Sequence, residues 1–198
     1  MKIKEIFYSL QGEGYHTGRP AVFVRFCGCN LKCPFCDTDF KDGVEMTEGE
    51  IVRTVKELAP KCRFVVLTGG EPTLQLTESL IDRLHAIGCY VAMETNGTKA
   101  WPKNLDWVTV SPKVAFCGER ATPFKFNPKA DEVKLVYDGD ESRFPSEYGK
   151  NARYKYLQPC DTGDPVRNAE IVASAIEWLK KNPDWMLSLQ TQKIINVR

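Results

Sequence analysis

The run Ala21-Val22-Phe23-Val24-Arg25-Phe26-Cys27-Gly28-Cys29-Asn30-Leu31-Lys32-Cys33-Pro34-Phe35-Cys36-Asp37 decides how this chain is read. Ala21 to Phe26 is rich in β-branched and aromatic residues and reads as a strand. It leads into Cys29, Cys33 and Cys36, a C-x3-C-x2-C spacing. Three thiolates fit three corners of an iron–sulfur cube, because cysteine thiolates are the usual cluster ligands. A fourth iron would then lack a protein ligand, and an open position on a metal is where chemistry occurs. Zinc is the competing metal, but its structural sites are closed by four ligands, often two CxxC pairs with histidines. No second pair lies nearby, and neither His16 nor His85 has ligand spacing to the run. Packing cysteines do not cluster three within eight residues in this way.

Downstream, strands alternate with helices. Phe64 to Leu67, Tyr90 to Met93, Trp107 to Val110, Glu132 to Tyr137 and Tyr154 to Leu157 read as further strands. The capping-box pattern Thr47-Glu48-Gly49-Glu50 opens a helix with Ile51, Val55 and Leu58 on one stripe. Leu80, Ile81, Leu84 and Ile87 mark a second helix that Gly88 stops. Asp164-Pro165 starts a third, carrying Ile171, Val172, Ala175, Ile176 and Leu179 and closed by Lys180, Lys181 and Pro183. Val114 to Ala130 has no helical period, so one crossover has lost its helix. The expectation is an α/β fold: a partial, open β/α barrel of about six parallel strands with reduced helices, too few for a complete eight-stranded barrel. A Rossmann-like sheet is the second choice, but the glycine fingerprint after its first strand is missing.

In such a barrel the helices cover the outer face and catalytic groups come from strand C-terminal ends. Arg25 shares a face with Phe23 and Cys27, and its charge cannot lie under a helix, so it points inward. An inward guanidinium needs an anionic partner: a ligand carboxylate, or an internal ion pair with Glu94 or Glu13. Thr68, Glu94, Ser111 and Gln158 each end an expected strand on a polar position; together they suggest a binding mouth, singly they read as loop caps. Gly69-Gly70-Glu71-Pro72 and the Asn96-Gly97 step read, on their own, as turns.

Composition fits an intracellular enzyme with one domain over residues 1–198. Lys and Arg number 27 against 26 Asp and Glu, and the net charge of +1 gives no footprint for direct nucleic-acid binding. The start Met1-Lys2-Ile3-Lys4-Glu5 has no secretory pattern and no apolar run has membrane-spanning length. Eight cysteines, three of them clustered, then point to a reducing cytoplasm instead of disulfides. Cys27, Cys62, Cys89, Cys117 and Cys160 lack metal spacing, and most of them read as small buried hydrophobes.

The cysteine run, continued by Cys36-Asp37-Thr38, resembles the signature loop of the radical S-adenosylmethionine (SAM) enzymes. Gly69-Gly70-Glu71-Pro72 resembles that family's GGEP-like element, where backbone groups hold the SAM ammonium, and Glu94-Thr95-Asn96-Gly97 an element near the SAM ribose. Further matches span nearly the whole chain. Glu5-Ile6-Phe7-Tyr8-Ser9-Leu10-Gln11-Gly12-Glu13-Gly14, Val110-Ser111-Pro112-Lys113, Leu157-Gln158-Pro159 and Leu187-Ser188-Leu189-Gln190-Thr191 are similar to the 7-carboxy-7-deazaguanine synthases, a family of trimmed radical SAM barrels.

That resemblance implies a 4Fe–4S cluster, SAM and Mg²⁺ as cofactors. It implies ring contraction of 6-carboxy-5,6,7,8-tetrahydropterin to 7-carboxy-7-deazaguanine with loss of ammonia, a step toward queuosine and related deazapurines. A one-electron donor such as flavodoxin or ferredoxin, a homodimer, and no membrane are implied as well. Carried over residue by residue, Cys29, Cys33 and Cys36 hold the cluster and Thr38 the magnesium. Phe35, Cys36, Asp37, Gly70, Glu94, Ser111, Pro112, Lys113, Gln158, Pro159, Cys160 and Asp161 contact SAM. Leu10, Gln11, Gly12, Arg25, Thr68 and the terminal Arg198 bind the pterin, with Arg25 clamping its carboxylate. Glu13 is the candidate proton-handling group. The chain departs from some relatives at Gln192, where they have histidine, and at Arg198, where they end in proline. Cys27 is read as a spectator thiol. Two other readings stand beside this one: a small radical SAM activase of a glycyl-radical partner, and a zinc-stabilised binding module.

Overall fold

Val22, Val24 and Phe26 are fully buried on one side of their strand, while Ala21, Phe23 and Arg25 lie on the other. This alternation is the period of two of a strand buried on both faces. The computed structural model describes residues 1–122, 130–143 and 152–198. Its main elements in chain order are β1 (Lys2–Leu10), β2 (Pro20–Phe26), β3 (Val44–Glu45), α1 (Glu48–Leu58), β4 (Phe64–Gly69) and α2 (Glu78–Ala86). There follow β5 (Tyr90–Thr95), β6 (Trp107–Val110), α3 (Val114–Cys117), β7 (Glu132–Tyr137), β8 (Tyr154–Pro159), α4 (Pro165–Lys181), β9 (Met186–Leu187) and α5 (Thr191–Ile194).

The strands of the described residues form one sheet in the order β3-β1-β2-β4-β5-β6-β7-β8-β9. From β2 to β8 each strand pairs in parallel with the next, as expected for an open β/α barrel. The outer face carries the larger core, where Val22, Val24, Phe26, Val65 and Leu67 meet Ile51, Val55, Leu80, Ile81 and Leu84 from α1 and α2. Each such side chain contributes roughly 1.5–3 kcal/mol by leaving water. The inner face carries a smaller cluster, Phe7, Ala21, Phe23, Phe64, Val66, Ala92 and Trp107. Tyr15 and His16 cover it, with rings 4.8 and 4.6 Å from Trp107. Burial and Arg19 hold His16 down at about 4, so it packs there as a neutral ring.

The local signals act as read. Thr47 and Glu50 close the capping box (Glu50 N to Thr47 Oγ1 3.2 Å, Thr47 N to Glu50 Oε2 2.7 Å). Asp164 caps α4 by accepting from Val166 N at 2.9 Å. Several expectations need correction. The sheet has an antiparallel edge that was not anticipated: β1 pairs with β2, aligning Phe7 with Phe23 and Glu5 with Arg25. β3 and β9 are short additional edge strands. Leu58 (43% exposed) and Ile176 (38% exposed) fall off their expected stripes, because the last turn of α1 clears the sheet and the α4 stripe runs through Ile171 and Ala175 to the partly buried Trp178 and Leu179. Within Val114–Ala130 a turn of helix, α3, does form; residues 123–129 of that stretch lie outside the described residues.

Glu132 begins β7, is 2% exposed, and its carboxylate accepts from Tyr15 N at 3.1 Å. Burial raises this carboxyl to about 7. A raised folded-state value means that Glu132 folds at no electrostatic cost below the ordinary carboxylate range, and that stability is lost as pH rises through 7. The loss reaches roughly 3 kcal/mol by the pKa-to-energy conversion. Melting temperatures of the native chain and of Glu132→Gln, measured from about pH 5 to about pH 8, should diverge with rising pH, the native chain falling relative to the variant. A pH-independent gap between them would sink this account.

Candidate active site

At the C-terminal ends of the strands lies a cavity of about 570 Å³. Thr68, Glu94, Ser111 and Gln158 all line it, as does Arg25, so the strand ends converge as their parity implied. Leu10 enters from the end of β1, Gln11, Gly12 and Glu13 from the segment after it, and Arg198 from the chain terminus. The cysteine loop contributes Cys29, Cys33, Phe35, Cys36, Asp37 and Thr38. Gly70, Lys113, Pro159, Cys160 and Asp161 complete the expected set. Pro112 is buried beside the cavity without lining it. Cys27 does not line it either: the strand ends at Phe26, the alternation stops there, and the thiol packs against Gly43. The expected face shared by Arg25 and Cys27 is therefore not formed.

Cys29, Cys33 and Cys36 are free thiols. Among the described residues no three Cys, His, Asp or Glu side chains already converge as a metal site. The donor set nevertheless fits a cluster: three thiols on one loop facing one cavity, and such sites commonly close on binding. Burial raises the Cys29 thiol, and burial with the Cys117 thiol raises Cys33 to about 12. Cys117 is thus no mere packing residue; α3 carries it to 3.6 Å from Cys33 Sγ.

The turn after β4 is built against this loop. Gly70 N donates to Phe26 O (3.0 Å) and Glu71 N to Gly28 O (2.8 Å). Gly69 has φ +127°, and a Cβ on Gly70 would strike the Gly28 carbonyl, so both glycines answer a close approach of two backbones. Glu71, which sequence reasoning passed over as part of a turn, is fully buried. Its Oε1 accepts from Thr73 N (3.1 Å), Thr73 Oγ1 (2.7 Å) and Thr95 Oγ1 (2.7 Å), and its Oε2 from Asn96 N (2.8 Å). Asn96 Nδ2 in turn donates to Asn30 Oδ1 at 3.0 Å. One buried carboxylate therefore joins the glycine turn, the end of β5 and the cysteine loop.

The polar residues form two linked groups. Arg25 Nε donates to Glu5 Oε1 at 2.8 Å, and Arg198 pairs with the other oxygen of Glu5. The ion-paired partner of Arg25 is thus Glu5 of β1, while Glu94 acts on the guanidinium through its charge without a direct bond. In the second group Lys134 of β7 pairs with Glu13, whose Oε1 also accepts from Gln190 Nε2 (3.0 Å) and Gln192 Nε2 (3.1 Å). Burial pushes Glu13 up, but Lys134 outweighs it and holds the carboxyl at about 2. Glu94 accepts from Gln11 Nε2 (2.9 Å) and Thr68 Oγ1 (3.4 Å). Lys193 of α5 spans the rim, 2.6 Å from Asp37 and 2.8 Å from Asp161. Its hydrogen bond lowers Asp161 to about 2. Lys134 was missed by the sequence reading. The available signal was a lysine two residues after Glu132 on the inward parity of an otherwise apolar strand.

The Radical SAM superfamily profile matches residues 23–109. Over 202 residues the chain is 46% identical to a 7-carboxy-7-deazaguanine synthase of Bacteroides thetaiotaomicron, covering 100% of this chain and 98% of that one. A 7-carboxy-7-deazaguanine synthase of Burkholderia multivorans is 41% identical, with 98% of each chain covered. Among solved structures, QueE from Escherichia coli superposes with a TM-score of 0.74 at 28% identity, covering 96% of this chain and 93% of that chain.

Proposed function

The chain belongs to the 7-carboxy-7-deazaguanine synthase family of radical SAM proteins, and from that premise we propose that it converts 6-carboxy-5,6,7,8-tetrahydropterin to 7-carboxy-7-deazaguanine with loss of ammonia. The observation that carries this reading is one cavity holding both the three thiols and the inward cation Arg25. It is an enzyme of a small molecule, and its cofactors are a 4Fe–4S cluster and SAM. Together they supply reductive cleavage of the sulfonium and hydrogen-atom abstraction. The residues do the positioning.

Cys29, Cys33 and Cys36 hold the cluster in this proposal, and Phe35, Asp37, Gly70, Ser111, Lys113 and the Gln158–Asp161 segment contact SAM. Arg25 clamps the pterin carboxylate, its Nε steadied by Glu5. Gln11 and Thr68 already donate to Glu94, and the three offer their remaining capacity to the pterin edge. Glu13 works from its ionised form, since Lys134 keeps the proton off it. The chain acts as a single radical SAM domain over 1–198, as a cytoplasmic homodimer reduced by a flavodoxin or ferredoxin. No helix among the described residues is long and apolar enough to cross a membrane. Anaerobic incubation with the carboxytetrahydropterin, SAM and a reductant should yield a product with the mass of the deazaguanine. Absence of that product from cluster-loaded protein would overturn the proposal.

Thr38 is proposed to bind Mg²⁺ against the substrate. It faces the cavity beside Asp37, its Oγ1 3.5 Å from Asp37 Oδ1, and hard Mg²⁺ prefers oxygen donors. Thr38→Ala should lose most of the Mg²⁺ stimulation of turnover while retaining its full iron content. Unchanged Mg²⁺ dependence would remove Thr38 from the site.

A further inference from the structure

Lys134 has no role in the reading above beyond its effect on Glu13, yet it occupies the centre of the polar floor. It lies on β7 on the face of Val136, which lines the cavity, while Val133, Leu135 and Tyr137 face the outer core. Its side chain is 6% exposed. Nζ pairs with Glu13 Oε2 and sits 3.9 Å from Glu94 Oε1. The cation therefore stands between carboxylates from two separate segments. Each carboxylate is anchored on its other contacts by neutral donors: Glu13 by the amides of Gln190 and Gln192, Glu94 by the Gln11 amide and the Thr68 hydroxyl. The remaining charged neighbours are Lys113, from the segment after β6, Glu132, two residues back on β7, and Arg25 of β2, which faces Glu94. Burial disfavours the ammonium, but Glu13 and Glu94 outweigh it and hold Lys134 protonated.

Resting on the proposed pterin chemistry, we infer that Lys134 is the positioning residue of the substrate site: its ammonium holds the Glu13 and Glu94 carboxylates side by side, as paired acceptors for the N–H groups of the pterin. Lys134 acts through these carboxylates. Two anions in one enclosed site cannot both persist without a cation between them, because low local dielectric strengthens their repulsion. A protonated carboxyl would present a donor to a donor, and the pterin N–H would lose its acceptor. The arrangement also accounts for the amides at Gln190 and Gln192. They hold Glu13 without competing for its charge, and the lysine is the largest influence that keeps it ionised.

The test uses cluster-loaded enzyme with SAM bound and measures pterin affinity against pH for the native chain, Lys134→Met and Lys134→Arg. The native chain should bind with little pH dependence around neutrality. In Lys134→Met one carboxyl titrates upward, so affinity should be low at neutral and acidic pH and recover as pH rises. The expected loss is about tenfold for each unit by which the new pKa exceeds the assay pH. Lys134→Arg should restore most of the affinity and the flat profile, while iron content and SAM binding stay native in both variants. Unchanged affinity and profile in Lys134→Met would overturn the inference and leave the proposed function standing. A native chain that binds no pterin would overturn both. Should Lys134→Met fail to fold, Glu13→Gln/Lys134→Met removes the imbalance of charge. Recovered folding with weak pterin binding supports the inference, and recovered folding with native binding reduces Lys134 to a structural ion pair.

Discussion

Cys33→Ala should contain little iron and form no 5′-deoxyadenosine when SAM and a reductant are supplied anaerobically. With three candidate ligands and one position left for SAM, losing any thiolate leaves the cluster too few anchors. The fold adds a specific escape route that has to be closed. Cys117 Sγ lies 3.6 Å from Cys33 Sγ and could stand in for it. The same measurement on Cys117→Ala and on Cys33→Ala/Cys117→Ala separates the cases. Native cluster content in Cys117→Ala, with none in Cys33→Ala, supports the C-x3-C-x2-C assignment. Full nucleoside yield from Cys33→Ala, lost only in the double variant, would transfer the ligand role to Cys117. Cys27→Ala should retain the cluster, since that thiol faces Gly43 and not the cavity.

The second large effect is expected at Arg25. Its Nε is taken by Glu5, and among the described residues its terminal nitrogens have no hydrogen-bonded partner, so the fork that would grip a carboxylate still faces the cavity. Arg25→Gln should weaken pterin binding by about 2–5 kcal/mol, the range for breaking a buried charge pair across an interface. It should also lower the melting temperature without substrate, because Glu5 loses one of its two arginines. Glu5→Gln isolates that second contribution: it removes the ion pair but leaves the guanidinium. Stability should fall similarly in both variants, and affinity should collapse only in Arg25→Gln. Equal affinity losses in the two variants would mean that Arg25 serves the cross-strand pair and not the substrate.

Much of the architecture was legible because its determinants are local. The capping box at Thr47 and Glu50 spans four positions, and the Asp164-Pro165 start of α4 is decided by neighbouring residues. Strand parity placed Arg25 inward, and polar residues at four strand ends located the cavity mouth. Cysteine spacing set Cys29, Cys33 and Cys36 apart from the scattered thiols, and all three line the cavity. Parity failed at Cys27 because alternation holds only while the chain remains a strand.

What escaped the sequence reading is long-range. Glu5 meets Arg25 across 20 positions because β1 runs antiparallel to β2, and no residue type announces that register. Cys33 and Cys117 stand 84 positions apart, and Glu13 and Lys134 121. Glu71 reads as a turn residue until β5 brings Thr95 and Asn96 to its carboxylate. By itself the sequence determined the central parallel strands, the three long helices, the inward face of Arg25 and the clustering of three cysteines in one loop, because each follows from neighbours within one turn or one strand pleat. Only the tertiary structure decided which charges meet, because a side chain's ionisation and partner depend on burial and on groups delivered by distant segments. Lys134 is a lone cation in an apolar run on paper; the folded sheet makes it the charge that two carboxylates share.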